Sequence, residues 1–196
     1  KYVISGRDGW LFRSKQLTND HLKYDKAATQ ALLEVQQAFA ARGTQLVIAY
    51  PPTRSMIGYD YIPAETLAQY QLPNAETMKS DYINYIQDMQ ADGLQIVGLS
   101  KIPEGTDFAY KRDHHWNTQG AKKMAEEVAY FIKKHPAYAD LIKTEYTTQK
   151  SKDKIEFTGT LGKAYAEICG QEVPTEDIYT EQTIPTETTE SEDALF

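Results

Sequence analysis

Apolar residues recur along the chain in two rhythms, and their alternation predicts the order of elements. Tyr2–Ile4 and Trp10–Phe12 are short apolar runs separated by Gly6-Arg7-Asp8-Gly9, and Asp-Gly between two such runs predicts a hairpin. Asp25 opens a helical rhythm in which Ala28, Leu32, Val35 and Phe39 make one apolar face, and Arg42 and Gly43 close it. Leu46–Tyr50 is an unbroken apolar run ended by Pro51-Pro52, the pattern of a strand buried on both faces in a parallel sheet. A second helix is predicted over 75–91, with Met78, Tyr82, Ile86 and Met89 on one face and Asp92-Gly93 as its stop. Leu94–Leu99 reads as a second buried strand and Phe108–Tyr110 as a shorter third. Asn117 or Thr118 then caps a helix that runs to Lys134, with Ala121, Met124, Ala125, Val128 and Ile132 facing inward.

Strands alternating with helices at these lengths predict a three-layer α/β unit with a mainly parallel sheet. Residues 136–160 are polar and fit no single pattern, while Thr160–Cys169 fits one short helix. The 171–196 stretch is rich in Thr, Glu and Pro and is expected to be a flexible acidic connector. It turns apolar at Ala194-Leu195-Phe196, so the domain over 1–170 is expected to be incomplete at its C-terminal end. The first residue is Lys1 with no apolar leader behind it, and the chain is accordingly expected to be a processed or trimmed piece, any export signal having been lost before residue 1.

Composition narrows the function classes. With 41% apolar and 25% charged residues, the body is globular. The net charge is −7, but residues 171–196 hold eight acidic side chains and no Lys or Arg. The remainder is therefore close to neutral and lacks the basic field that nucleic-acid binding needs. No apolar run is long enough to span a membrane. The single cysteine, Cys169, excludes an internal disulfide and a cysteine-based zinc site. Fourteen tyrosines suit half-buried packing, with stacking on sugar rings as the functional alternative.

The candidate chemistry lies in Asp113-His114-His115-Trp116-Asn117, between a predicted strand and a helix start. In an extended segment Asp113 and His115 point to one side and His114 to the other. A carboxylate that accepts the Nδ1 proton of His115 fixes its tautomer and leaves Nε2 as a general base toward a serine hydroxyl. A surface hydrogen bond or a helix cap is the plainer reading. A metal site is disfavoured, because adjacent histidines on a strand face opposite ways; the expectation is no metal and no cofactor. None of the serines lies in a Gly-x-Ser-x-Gly elbow; Ser55 and Ser100, after predicted strand ends, are the nearest candidates, and Cys169 has no nucleophile motif around it.

Three blocks together resemble one family. They are Gly6-Arg7-Asp8-Gly9-Trp10-Leu11-Phe12-Arg13, Tyr50-Pro51-Pro52-Thr53-Arg54, and Tyr110 through Ala121 around Asp113-His114-His115-Trp116. Their order and spacing are similar to the SGNH-hydrolase-like domain of the alginate O-acetylation proteins, over most of residues 1–170. The resemblance implies a flavodoxin-like three-layer domain in a periplasmic O-acetyltransferase acting on an alginate-like exopolysaccharide. It assigns the acid–base pair to Asp113 and His115, and expects the triad serine, with any carbohydrate-binding module, beyond Phe196. The 196-residue piece alone is then expected to be inactive. The resemblance further implies a partner for Cys169 upstream of the hairpin, an anionic polymer as substrate, and a membrane-bound O-acyltransferase system as the acetyl donor.

Arg54, Trp116 and Tyr50 are the candidate polymer contacts. Arg54 follows a strand end, where its fork could grip a uronate carboxylate, with a salt bridge as the alternative. Trp116 could shield the imidazole or wall a sugar pocket. Two competing readings share the fold: a non-catalytic polysaccharide-binding scaffold, and a carbohydrate acetylesterase with water as acceptor.

Overall fold

The computed structural model describes residues 2–18 and 22–186. The predicted hairpin is present as β1 (Val3–Ser5) and β2 (Leu11–Arg13), paired antiparallel with Ile4 opposite Phe12. A short helix α1 (Ser14–Thr18) follows. Helix α2 (Lys26–Ala40) starts where expected, with the Asp25 carboxylate accepting from the N–H groups of Ala27 and Ala28. Its orientation differs from the expected one. Thr29 is buried, while Val35 and Phe39 are 46% and 44% exposed. The cause is polar: the Gln36 side chain donates to the Gly93 carbonyl at 3.1 Å and accepts from Gln95 N–H at 2.7 Å, which fixes the roll of the helix.

Strand β3 (Ile48–Ala49) pairs in parallel with β4 (Ile96–Val97), and between them in the chain lie α3 (Arg54–Ile57), α4 (Ala64–Gln69) and α5 (Ala75–Ala91). This is the one parallel pair among the described residues, so the expected mainly parallel sheet reduces to a two-residue ladder flanked by antiparallel ribbons. Leu46, Val47, Ile48 and Tyr50 are half-buried and Ala49 is exposed, and among the described residues β3 has a partner on one side alone; Leu94, Ile96, Val97 and Leu99 are buried as predicted. Phe108 and Ala109 are also buried, but they contribute a single bridge, Ala109 to Trp116, and no strand.

Helix α5 buries the four residues predicted for it, Met78, Tyr82, Ile86 and Met89. The Tyr82 hydroxyl donates to the Tyr50 carbonyl at 2.5 Å and accepts from Leu99 N–H at 3.1 Å, tying together the C-terminal ends of β3 and β4. Around it, Trp10, Phe12, Met56, Ile57, Ile96, Phe108 and Met124 form the main core.

Helix α6 (Thr118–Lys134) is capped by Asn117, whose side chain accepts from Gly120 N–H at 3.0 Å and donates to the Thr106 carbonyl at 2.6 Å. Gly120 is required there: a Cβ would lie 2.2 Å from the Phe108 carbonyl oxygen. Ala125, expected inside, is exposed.

The last elements are β5 (Tyr146–Phe157), α7 (Thr160–Cys169) and β6 (Glu176–Pro185), with β5 and β6 forming an antiparallel ribbon. The connector expected over 171–196 is thus a strand over 176–185. Across the ribbon Lys154 is bonded to Asp177 at 2.9 Å, the Lys150 ammonium lies over the Tyr179 ring at 4.1 Å, and Ile155 stands opposite Ile178, so mixed cross-strand pairs hold a strand that has no apolar pattern of its own. Residues 187–196, including the apolar end, lie outside the described residues. Leu161 of α7 packs on Val3 and Leu11 of the hairpin, a second small core beside the first.

Candidate active site

The segment Tyr110–Trp116 carries the candidate chemistry and is fastened from four directions. Arg54 lies beneath it. Its Nε donates to the Leu11 carbonyl at 2.9 Å, and its two terminal nitrogens donate to the carbonyls of Tyr110 (2.7 Å) and Lys111 (2.6 Å). The same guanidinium lies over the rings of Trp10 and Phe12, 4.7 and 5.5 Å from their centroids. Burial pulls its pKa down to about 10, opposed by the charges of Asp113 and Glu176, so it stays a cation at neutral pH. At 6% exposure it is a structural rivet, and the carboxylate grip expected of it is corrected accordingly: its donors already serve three carbonyls.

From the hairpin, Leu11 N–H donates to the Lys111 carbonyl at 2.9 Å. From β6, the Glu176 carboxylate accepts from the N–H groups of Lys111 (3.3 Å) and Arg112 (3.1 Å). From α7, Gly162 N–H donates to the Arg112 carbonyl at 3.0 Å. Gly159, just before α7, has φ +75°, and a Cβ there would lie 2.2 Å from that same carbonyl oxygen.

Asp113 is 2% exposed. Its Oδ1 accepts from the backbone N–H of His115 at 2.9 Å and from His115 Nδ1 at 2.6 Å; its Oδ2 accepts from Thr160 N–H at 2.7 Å. Burial alone would raise its pKa, but the bonds from Thr160 and His115 outweigh it and bring the carboxyl down to about 2. A fixed carboxylate acceptor makes Nδ1 the protonated nitrogen of neutral His115, which leaves the lone pair on Nε2. The His115 side chain is 62% exposed, and among the described residues its Nε2 has no hydrogen-bond partner. The arrangement brings together a buried carboxylate, an oriented imidazole and an accessible basic nitrogen, a geometry suited to proton transfer.

The path to this contact differs from the one expected. Residues 111–115 form bends, and the bond from His115 N–H to Asp113 Oδ1 is an Asx turn that curls the chain. Alternation across a strand therefore does not apply, and His114 does not point away. Its ring lies 3.8 Å from that of His115, and its Nδ1 pairs with Thr160 Oγ1 at 2.7 Å. Burial and then the neighbouring His115 lower its pKa. The geometric objection to a metal also falls, since ligand atoms of Asp113, His114 and His115 lie within 4.8 Å of one another. Both Asp113 oxygens and both Nδ1 atoms are, however, engaged in the bonds just described.

Ser55 is buried with its Oγ 3.3 Å from Thr53 Oγ1, and Ser100 Oγ donates to Glu127 at 3.3 Å. Among the described residues no serine hydroxyl bonds to His115. Cys169 is exposed at the end of α7. Tyr50 stacks on Tyr82, with centroids 6.1 Å apart, and lines a cavity of about 510 Å³ that His114 also borders. Trp116, 39% exposed, meets Phe108 edge-on at 6.2 Å and does not line that cavity. A larger cavity, about 830 Å³, lies between residues 99–107 and α6, away from the pair. Thr160, Gly159 and Glu176 were not foreseen in the sequence. Gly-Thr at a short helix start is a weak signal for the first two, and nothing marks Glu176.

Residues 3–196 match the protein family described as SGNH hydrolase-like domain, acetyltransferase AlgX. The chain belongs to this AlgX family. Its relatives include the alginate biosynthesis protein AlgX of Pseudomonas putida, 30% identical over 175 residues, which cover 86% of this chain and 36% of that protein. The chain thus spans about a third of the length of this AlgX relative. Among solved structures, that of Pseudomonas aeruginosa AlgX superposes with a TM-score of 0.80 at 24% identity, covering 93% of this chain and 44% of that one. The O-acetyltransferase domain of Pseudomonas putida AlgJ superposes with a TM-score of 0.62 at 16% identity, covering 95% of this chain and 66% of the other. The fold is therefore SGNH-hydrolase-like, and the AlgX-family resemblance read from the three sequence blocks is confirmed.

Proposed function

We propose that this chain supplies the acid–base half of a polysaccharide O-acetyltransferase in alginate-like exopolysaccharide biosynthesis. The observation that carries the reading is the 2.6 Å contact between buried Asp113 and His115 Nδ1, which leaves Nε2 facing outward. The family membership and the alginate-related names of the relatives support the substrate class.

In this reading a serine from sequence beyond residue 196 completes the triad. His115 Nε2 takes the serine proton as the oxygen attacks the acetyl donor, and returns it to the departing group. An acyl-serine remains. His115 then takes a proton from a sugar hydroxyl, the sugar oxygen attacks the acyl carbon, and the serine oxygen leaves and is reprotonated. Asp113 stays ionised throughout and steadies the imidazolium. The proposed setting is the periplasm, with the acetyl group delivered by a membrane-bound O-acyltransferase system. Among the described residues, no helix is long and apolar enough to cross a membrane.

The test is transfer from a chromogenic acetyl ester to an unacetylated uronate polymer by the intact protein. The proposal expects chromophore release together with ester on the polymer, both abolished by His115→Ala. Release of free acetate alone would identify an esterase, and polymer binding without turnover a scaffold.

A further inference from the structure

The cavity of about 510 Å³ beside His114 has a lining that the acid–base chemistry does not use. Arg13 at the end of β2, Lys15 and Gln16 of α1, Tyr50, Arg54 and His114 surround it, and no acidic residue does. Arg13 Nε and Gln16 Oε1 are buried without a hydrogen-bond partner. A native interior rarely leaves such groups unpaired unless something else pairs them. Among the described residues neither Arg13 nor Lys15 forms a salt bridge. Arg54, with Nε and both terminal nitrogens each bonded to a carbonyl beneath the floor, adds chiefly its positive field.

The geometry points to a carboxylate subsite built by Arg13 and Lys15, which seats one acidic sugar of the polymer next to the acid–base pair. The inference rests on the proposed function and names which group holds the substrate. Arg13 offers a fork that fits a carboxylate, Lys15 a mobile point charge, and Gln16 Oε1 an acceptor for a sugar hydroxyl. The cavity has the size of a small-ligand site, and its positive lining between low-dielectric walls concentrates anions. The His114 ring, 3.8 Å from that of His115, forms the partition between this subsite and the base. A sugar ring anchored by its carboxylate therefore presents its neighbours' hydroxyls across one imidazole width. This role replaces the grip that the sequence suggested for Arg54.

The test is equilibrium binding of oligomannuronate to the intact protein in a His115→Ala background, where no turnover occurs. The comparison ligands are the same oligomer with carboxyls reduced to alcohols, and inorganic polyphosphate. Arg13→Gln and Lys15→Gln should each weaken oligomannuronate binding about threefold, and together about tenfold. The reduced oligomer should bind weakly to all forms alike, and added salt should weaken only the charged ligand. Lys133→Gln, an exposed change at the far end of α6, should have no effect. Unchanged binding in the double variant, or equal binding of polyphosphate, would overturn the subsite. Should Arg13→Gln fail to fold, Lys15→Gln decides alone. Failure of acetyl transfer with charge-dependent binding intact would count against the proposed reaction and leave the subsite standing.

Discussion

The backbone N–H of Thr160 donates to Oδ2 of Asp113 at 2.7 Å, so the start of α7 holds the carboxylate while its other oxygen holds His115. Residues 47 positions apart thus act as one unit.

Gly159 carries that arrangement. Gly159→Ala places a methyl 2.2 Å from the Arg112 carbonyl at a φ of +75°, so both sterics and backbone conformation oppose it. The expected cost is about 3 kcal/mol or more of unfolding free energy, with activity lost in the surviving folded fraction. Thr160→Val, by contrast, keeps the N–H and removes the hydroxyl that pairs with His114 and helps to hold the Asp113 carboxylate, and should cost less than about tenfold in rate. Denaturant titration and steady-state rates on the intact protein check both.

Arg54 makes a second prediction, in which structural and substrate roles diverge. Arg54→Ala removes the donors to three carbonyls and leaves a void beside Trp10 and Phe12. It should destabilise the protein by about 3–5 kcal/mol, and Arg54→Lys should recover little, because one ammonium cannot span the fork. A clamp on substrate would give the opposite: normal stability and weakened polymer binding. Thermal unfolding alongside the binding assay separates them.

These cases show what the sequence made legible. In α5, every fourth or third residue from Met78 to Met89 is apolar and all four are buried, because packing alone sets that face. Asn117 capped α6 as expected, since a cap is a local bond. The Asp113–His115 pair was legible because its members are two residues apart, and the family resemblance because each of its three blocks is a run of neighbouring residues. The roll of α2 was not, because Gln36 bonds across 57 and 59 residues to Gly93 and Gln95. Nor was β6, whose partner strand lies on the far side of α7 and meets it through contacts such as Lys154 with Asp177 and Lys150 over Tyr179. Arg54 looked like a ligand contact because position after a strand is local, whereas its three carbonyl partners come from two distant segments.

Acid should expose the Asp113 network. Its carboxyl ionises at about 2 in the folded protein against an ordinary 3.8, so the folded state favours the charged form. The associated stability, on the order of 2 kcal/mol, is complete above about pH 5 and is lost as pH falls through the folded value. Asp113→Asn should flatten this limb. Unfolding free energies at pH 5 and pH 2.5 for both proteins check it; equal slopes would show that the carboxylate is not stabilised by Thr160 and His115.

The most direct measurement is the acetyl-transfer rate of the intact protein with His115→Ala and Asp113→Asn, each shown to remain folded by its thermal transition. An imidazole base aligned by a buried carboxylate contributes about 10²- to 10⁴-fold, and both variants should lose rate on that scale with polymer binding unchanged. Rates within a few-fold of the unaltered protein would mean that the 2.6 Å contact between Asp113 and His115 serves the fold and not the reaction.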